Sequence, residues 1–86
     1  MIIYTYIIQS LKDSSFYTGI SDNPEKRLKQ HNRGSLKTTS RRRPWRLIYK
    51  KAHSSYREAR KHEKWLKKKN IKYKRTIGGV NRATAW

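Results

Sequence analysis

Five side chains in this sequence have types and spacings suited to moving a proton beside a phosphate: Tyr6, Tyr17, Arg27, His31 and Glu63. Tyr6 and Tyr17 lie in two β-favouring stretches, so their phenols can converge on one ligand, with Gly19 letting it approach the backbone. Tyrosine also favours strands for ordinary packing reasons, and the pair alone assigns no site. Arg27 and His31 are four apart and share a helix face. A guanidinium offers a fixed fork of donors to phosphate oxygens, and an imidazole exchanges protons near neutral pH. A solvated polar helix would carry the same two residues. Glu63 shares a helical stripe with Ala59 and Leu66. A half-buried carboxylate in so basic a chain can hold Mg²⁺ or Mn²⁺, since a hard cation of this kind takes one or two carboxylates and fills its shell with water and phosphate. A salt bridge to a neighbouring lysine is the plain alternative.

Positioning these groups requires strands and helices in a definite order. Residues 2–9 (IIYTYIIQ) and 16–21 (FYTGIS) are β-branched and aromatic, and the intervening LKDSS is turn-forming, which predicts a hairpin. If Ser10 pairs with Ser15, alternation puts Ile3, Thr5, Ile7, Phe16, Thr18 and Ile20 on one face. Tyr4, Tyr6, Ile8, Tyr17 and Gly19 then share the other. Residues 21–25 (SDNPE) read as a helix start, with Gly34 as its stop after Arg33. Leu28 is almost its only apolar residue. Residues 33–44 read as a basic loop, and 45–52 (WRLIYKKA) as a third strand with Trp45, Leu47 and Tyr49 on one face. Ser55 with Glu58 makes a capping box for a last helix running to about Lys69. Its inward stripe is Ala59, Glu63 and Leu66, flanked by His62 and Trp65.

Size and charge bound what this framework can be. The 86 residues allow a single domain, with a core at about 2–69 and a basic tail at 70–86. With no cysteine, disulfides and cysteine-ligated zinc are excluded. Twenty-three Lys and Arg against five Asp and Glu give a net charge of +18. Self-repulsion of that size in a small fold points to a polyanionic partner. The opening segment lacks the features of a signal peptide. No apolar run approaches the roughly 20 residues that span a bilayer. A cytoplasmic protein without membrane contact is the expectation. Arg41, Arg42, Arg43, Lys50, Lys67 and Lys68, interleaved with Trp45, read as a nucleic-acid-binding field. No base-reading motif is visible, so phosphate contacts should dominate.

In this order these segments resemble the GIY-YIG nuclease family, and in particular its small stand-alone bacterial members. The likeness spans residues 3–69. YTY (4–6) stands at the first family motif, with Tyr4 in place of its glycine, and YTG (17–19) stands at the second. EKRLKQHN, KTTSRRRPWRLIY and YREARKHEKWLKK match the following blocks.

The resemblance implies an α/β (α+β) fold: a small three-stranded sheet flanked by helices, with the active site on one sheet face. It implies a divalent-metal-dependent endonuclease, structure-directed rather than sequence-directed, with DNA ahead of RNA as substrate. Tyr6 would accept the proton of the attacking water and Tyr17 and Gly19 would support it. Arg27 and His31 would grip the phosphate or move protons, and Glu63 would hold the metal. Tyr6 in that role needs a phenol pKa well below about 10. Asn70 and Asn81 are both candidates for the family's late asparagine. A non-catalytic nucleic-acid-binding module, or a basic structural protein of a ribonucleoprotein, would keep the charge without the chemistry. A protein partner could supply targeting.

Overall fold

Strand β1, Ile3–Ser10, is the centre of a three-stranded antiparallel sheet, with β2, Phe16–Ser21, on one side of it and β3, Trp45–His53, on the other. Its apolar residues face both ways because helices cover both sides of the sheet, so Ile7 and Ile8 are each fully buried. β2, Phe16–Ser21, returns through the LKDSS turn. Ser10 receives the Lys12 and Asp13 amides on its hydroxyl, and its own amide donates to the Ser15 carbonyl at 2.8 Å. The resulting register pairs Tyr6 with Gly19 and Ile7 with Thr18, as the alternation predicts.

The structure, a computed structural model, describes residues 2–69. Asn70, Asn81 and the rest of the expected basic tail lie outside the described residues. Helix α1, Pro24–Arg33, starts at Asn23, whose side chain accepts the Lys26 amide, and stops at Gly34 in the left-handed region with φ 81°. The expected 33–44 loop contains a short helix, α2, Lys37–Ser40. β3 runs Trp45–His53. Helix α3, Tyr56–Lys67, is capped by the Ser55 hydroxyl, which accepts the Glu58 amide at 3.3 Å. The Glu58 carboxylate takes the Ser54 hydroxyl at 3.1 Å, a neighbour of the residue a capping box would use.

Two cores result. On one sheet face Tyr6, Ile8 and Trp45 pack with Tyr17, Leu28 and Leu47 beneath α1 and α2. On the other, Ile7, Ile48 and Leu66 pack with Phe16 and Tyr49 beneath α3. Tyr49 therefore does not share a face with Trp45 and Leu47. A bulge sets Ile7 opposite Tyr49 but Ile8 opposite Leu47, so Ile48 is an extra residue and the alternation restarts. The hydroxyl of Thr5 ties α3 down by donating to the Ala59 carbonyl at 2.8 Å. Beyond it the His53 and His62 rings lie 5.3 Å apart, and His62 stacks on Trp65.

Candidate active site

Tyr6 is the centre of the site. Its position in β1 aims the ring at α1, and the facing residue in β2 is Gly19, which leaves room for the phenol to cross the neighbouring strand. A Cβ built on Gly19 would stand 2.7 Å from the Tyr6 oxygen and 3.1 Å from the Tyr17 ring. Any side chain there would displace the phenol.

Helix α1 brings His31 over the phenol. The Tyr6 oxygen lies 3.0 Å from His31 Nε2, and Thr39 Oγ1 from α2 lies 2.8 Å from Nδ1. Thr39 donates its own proton to the Leu36 carbonyl at 3.4 Å. This chain of donors assigns the tautomer: Nδ1–H donates to Thr39, and Nε2 accepts from the Tyr6 hydroxyl. His31 is fully buried. Its ring meets Tyr17 edge-on at 5.0 Å and lies 6.5 Å from Trp45. Burial, then the nearby Arg27 charge, lower its pKa to about 4, so the imidazole is neutral at neutral pH. A residue so enclosed orients Tyr6 and does not reach a phosphate itself.

Arg27, one turn before His31, reaches the same phenol. Burial is the largest influence on Tyr6 and raises its pKa to about 12; Tyr17 adds to this, while a hydrogen bond from Arg27 and its charge pull downward. The direction is the reverse of what a base working at neutral pH needs, because the ring is 1% exposed and its charged form is poorly solvated. Arg27 Nη1 donates to Gln30 Oε1 at 3.1 Å. It lines a cleft of about 150 Å³ with Ser21, Asp22, Asn23, Lys26 and Gln30.

Glu63 sits in the opposite layer. It belongs to α3, across the sheet from α1, yet its charge still acts on the Tyr6 phenol as the last of the five influences. Its side chain is only 15% exposed, and Lys67, one turn on, pairs with it at 3.3 Å. Tyr6 and the helix carrying Arg27 and His31 thus lie on one side of the sheet, and the helix carrying Glu63 covers the other. Among the described residues there is no group of three histidine, cysteine or acidic side chains that could form a metal cage. A single enclosed carboxylate suits a cation that takes its remaining ligands from water and phosphate.

The expected nucleic-acid field is partly structural. Trp45 is 2% exposed, so it cannot stack on a base. Its indole donates to the Thr39 carbonyl, and Asn32 holds its backbone N–H and C=O as a neighbouring strand would. Arg42 lies over the Trp45 ring and donates to Ser15, while Arg43 donates to the Ser40 carbonyl. Lys50 pairs with Glu25 at 2.6 Å and lies over Tyr4. Lys67 pairs with Glu63. Arg41 and Lys68 are exposed. Arg41 and Arg43 line an open basic hollow with Lys12, Asn32, Ser40 and Pro44. Thr39 and Asn32 carry no sequence signal for their roles. The one hint is that a buried histidine needs a partner at each ring nitrogen.

The model of the GIY-YIG catalytic domain matches residues 2–76. The chain belongs to the GIY-YIG family. UPF0213 protein CPE1444 of Clostridium perfringens is 44% identical to it over 66 residues, which is 76% of this chain and 70% of that protein. UPF0213 protein YazA of Bacillus subtilis is 39% identical over 72 residues, covering 83% and 72%. A structure-specific endonuclease subunit SLX1 homolog of Drosophila ananassae is 43% identical over 54 residues, 54% of this chain and 18% of that protein. The solution NMR structure of the UPF0213 protein BH0048 from Bacillus halodurans shares the fold, with a TM-score of 0.57 and 33% identity over 93% of this chain and 85% of that one. GIY-YIG membership makes this a nuclease fold and nucleic acid its substrate class. Among the described residues no helix is long and apolar enough to cross a membrane.

Proposed function

We propose that this chain hydrolyses phosphodiester bonds in DNA, using one Mg²⁺ or Mn²⁺ held by Glu63, as a structure-directed endonuclease. The observation that carries this is the Tyr6 phenol, fixed between the His31 imidazole and the Arg27 guanidinium with an enclosed carboxylate within electrostatic reach. A purely structural core has little use for that combination.

The residues divide the work by geometry. Because Tyr6 donates to His31, its oxygen is left as an acceptor, a position Arg27 occupies until it turns to the phosphate and a water takes its place in line. As that water attacks, its proton passes to the phenol oxygen while the phenol proton moves toward Nε2. His31 stays neutral beforehand, which keeps Nε2 an acceptor. Arg27 neutralises a phosphate oxygen. A cation at Glu63 would supply Lewis-acid charge to the phosphate. Positioning and charge neutralisation are most of what phosphoryl transfer asks of a protein.

A second reading, a module that binds without cutting, is favoured by Lys67, which already pairs with the acid a metal would use. One experiment separates the two. Wild type with Mg²⁺ or Mn²⁺ should cut a labelled panel of linear and branched DNA, while Glu63→Gln should bind the panel with unchanged affinity and cut at least about a hundredfold more slowly. Cutting at the wild-type rate by that variant would remove Glu63 from the chemistry, and no cutting by either protein would favour the binder.

A further inference from the structure

Helix α3 has a face that the candidate site does not use. Ala59 and Leu66 are buried against the sheet. At 3.6 residues per turn the opposite side of the helix carries Arg57, Lys61, Lys64 and Lys68, and all of these are exposed. They are spaced four, three and four apart, so each is the helical neighbour of the next. Like charges at such spacings weaken a helix. Of the two acids of α3, Glu63 is enclosed with Lys67, and Glu58, three residues before Lys61 at the edge of the stripe, takes the Ser54 hydroxyl. The stripe keeps three repulsive pairs, Arg57–Lys61, Lys61–Lys64 and Lys64–Lys68, against one edge acid, Glu58.

Its direction matters as much as its charge. α3 covers one side of the sheet, while α1 and α2, with Arg27 and the basic hollow at Arg41 and Arg43, cover the other. The two basic surfaces face away from each other, across a body measuring 32 × 27 × 25 Å. A straight duplex lying against α1 passes on the far side of the sheet from this stripe. From this opposition we propose that the outer face of α3 is a second nucleic-acid-binding surface, and that one molecule holds two duplex segments at once. The four cations run along about 16 Å of helix, a length over which one strand of a duplex presents four to five phosphates. The contacts are to the sugar–phosphate backbone and carry no sequence preference.

This inference rests on the nucleic-acid reading of the site, and the test separates the two. Short blunt duplexes, half with a donor dye and half with an acceptor, are mixed with the full chain, and energy transfer between them is recorded beside the binding isotherm for one duplex alone. A four-way junction with dyes on two arms distinguishes two arms of one molecule from two separate molecules.

Wild type should bring the dyes together. The triple variant Arg57→Gln, Lys61→Gln, Lys64→Gln should bind one duplex as before and lose transfer at least about tenfold. Its second binding step should show a salt slope smaller by about 0.9 for each phosphate no longer neutralised. With the repulsive pairs removed, its melting temperature should stay level or rise, so loss of folding does not mimic the result. Undiminished transfer by the variant overturns the proposal, including the case where two protein molecules pair to bridge the duplexes. Loss of transfer together with equal loss of single-duplex binding also overturns it, because the stripe would then belong to the only surface. Binding of anionic phosphatidylserine vesicles through these residues, without bridging, overturns it in favour of a membrane. A wild type that binds no duplex at all brings down the nucleic-acid reading itself.

Discussion

A histidine with no exposed surface and hydrogen bonds at both ring nitrogens is held in one protonation state by its surroundings. For His31 that state is neutral, with a pKa lowered from about 6.5 to about 4 by burial and the Arg27 charge. The unfolded chain therefore takes up a proton between these values that the folded chain refuses, and stability must fall as pH drops through that window. The loss should reach about 3 kcal/mol by pH 4, near the full difference in pKa. Chemical denaturation at several pH values, comparing wild type with His31→Gln, measures it; an equal acid dependence in both would remove His31 as the source. At this scale the sequence was informative about identity and silent about environment. Tyr6, Arg27, His31 and Glu63 could all be picked out by type and spacing. The upward shift of the phenol, the partnership with Thr39 and the enclosure of Trp45 depend on which rings surround which, and no spacing rule carries that.

Elements are where the sequence spoke most clearly and where its one systematic error arose. Alternation together with the turn-forming LKDSS yields the hairpin register, including the pairing of Tyr6 with Gly19. Helix starts and stops at Asn23, Gly34 and Ser55 follow from side chains that accept backbone amides or tolerate positive φ. The bulge at Ile48 was invisible because an extra residue leaves no mark in a run of apolar side chains, and it moved Tyr49 to the other face. Helix α2 was read as loop because four residues without an apolar period look like one. Gly19 supports a prediction of its own. Gly19→Ala places a carbon 2.7 Å from the Tyr6 oxygen, so the phenol must move or the strands must part. The expected cost is about 1–3 kcal/mol of stability. With Tyr6 as the proposed base, turnover should fall by about a hundredfold or more because the phenol is misplaced. Thermal melting and single-turnover cleavage test the two parts, and a fully active variant would show that the phenol position is not critical.

At the scale of the molecule the dominant quantity is its net charge of +18. Composition alone pointed to a polyanionic partner. It could not show how the cations are distributed between two faces, nor that Lys50 and Lys67 are already paired with acids. Affinity for duplex DNA should fall by about 10³ or more between 50 and 200 mM salt, as counterion release dominates for six or more phosphate contacts. A fluorescence-anisotropy titration across that range measures the slope, and a flat response would leave the basic surface without a polyanionic role. The sandwich of layers has one more effect. Because the acid rides on α3 while the phenol, guanidinium and imidazole ride on the hairpin and α1, the proposed catalytic group holds together only while both halves stay clasped through Thr5, Ala59 and Leu66. Gentle warming that loosens the rear helix would leave a chain that still clings to its polymer but has gone blunt, so catalytic competence and grip should fade at different temperatures.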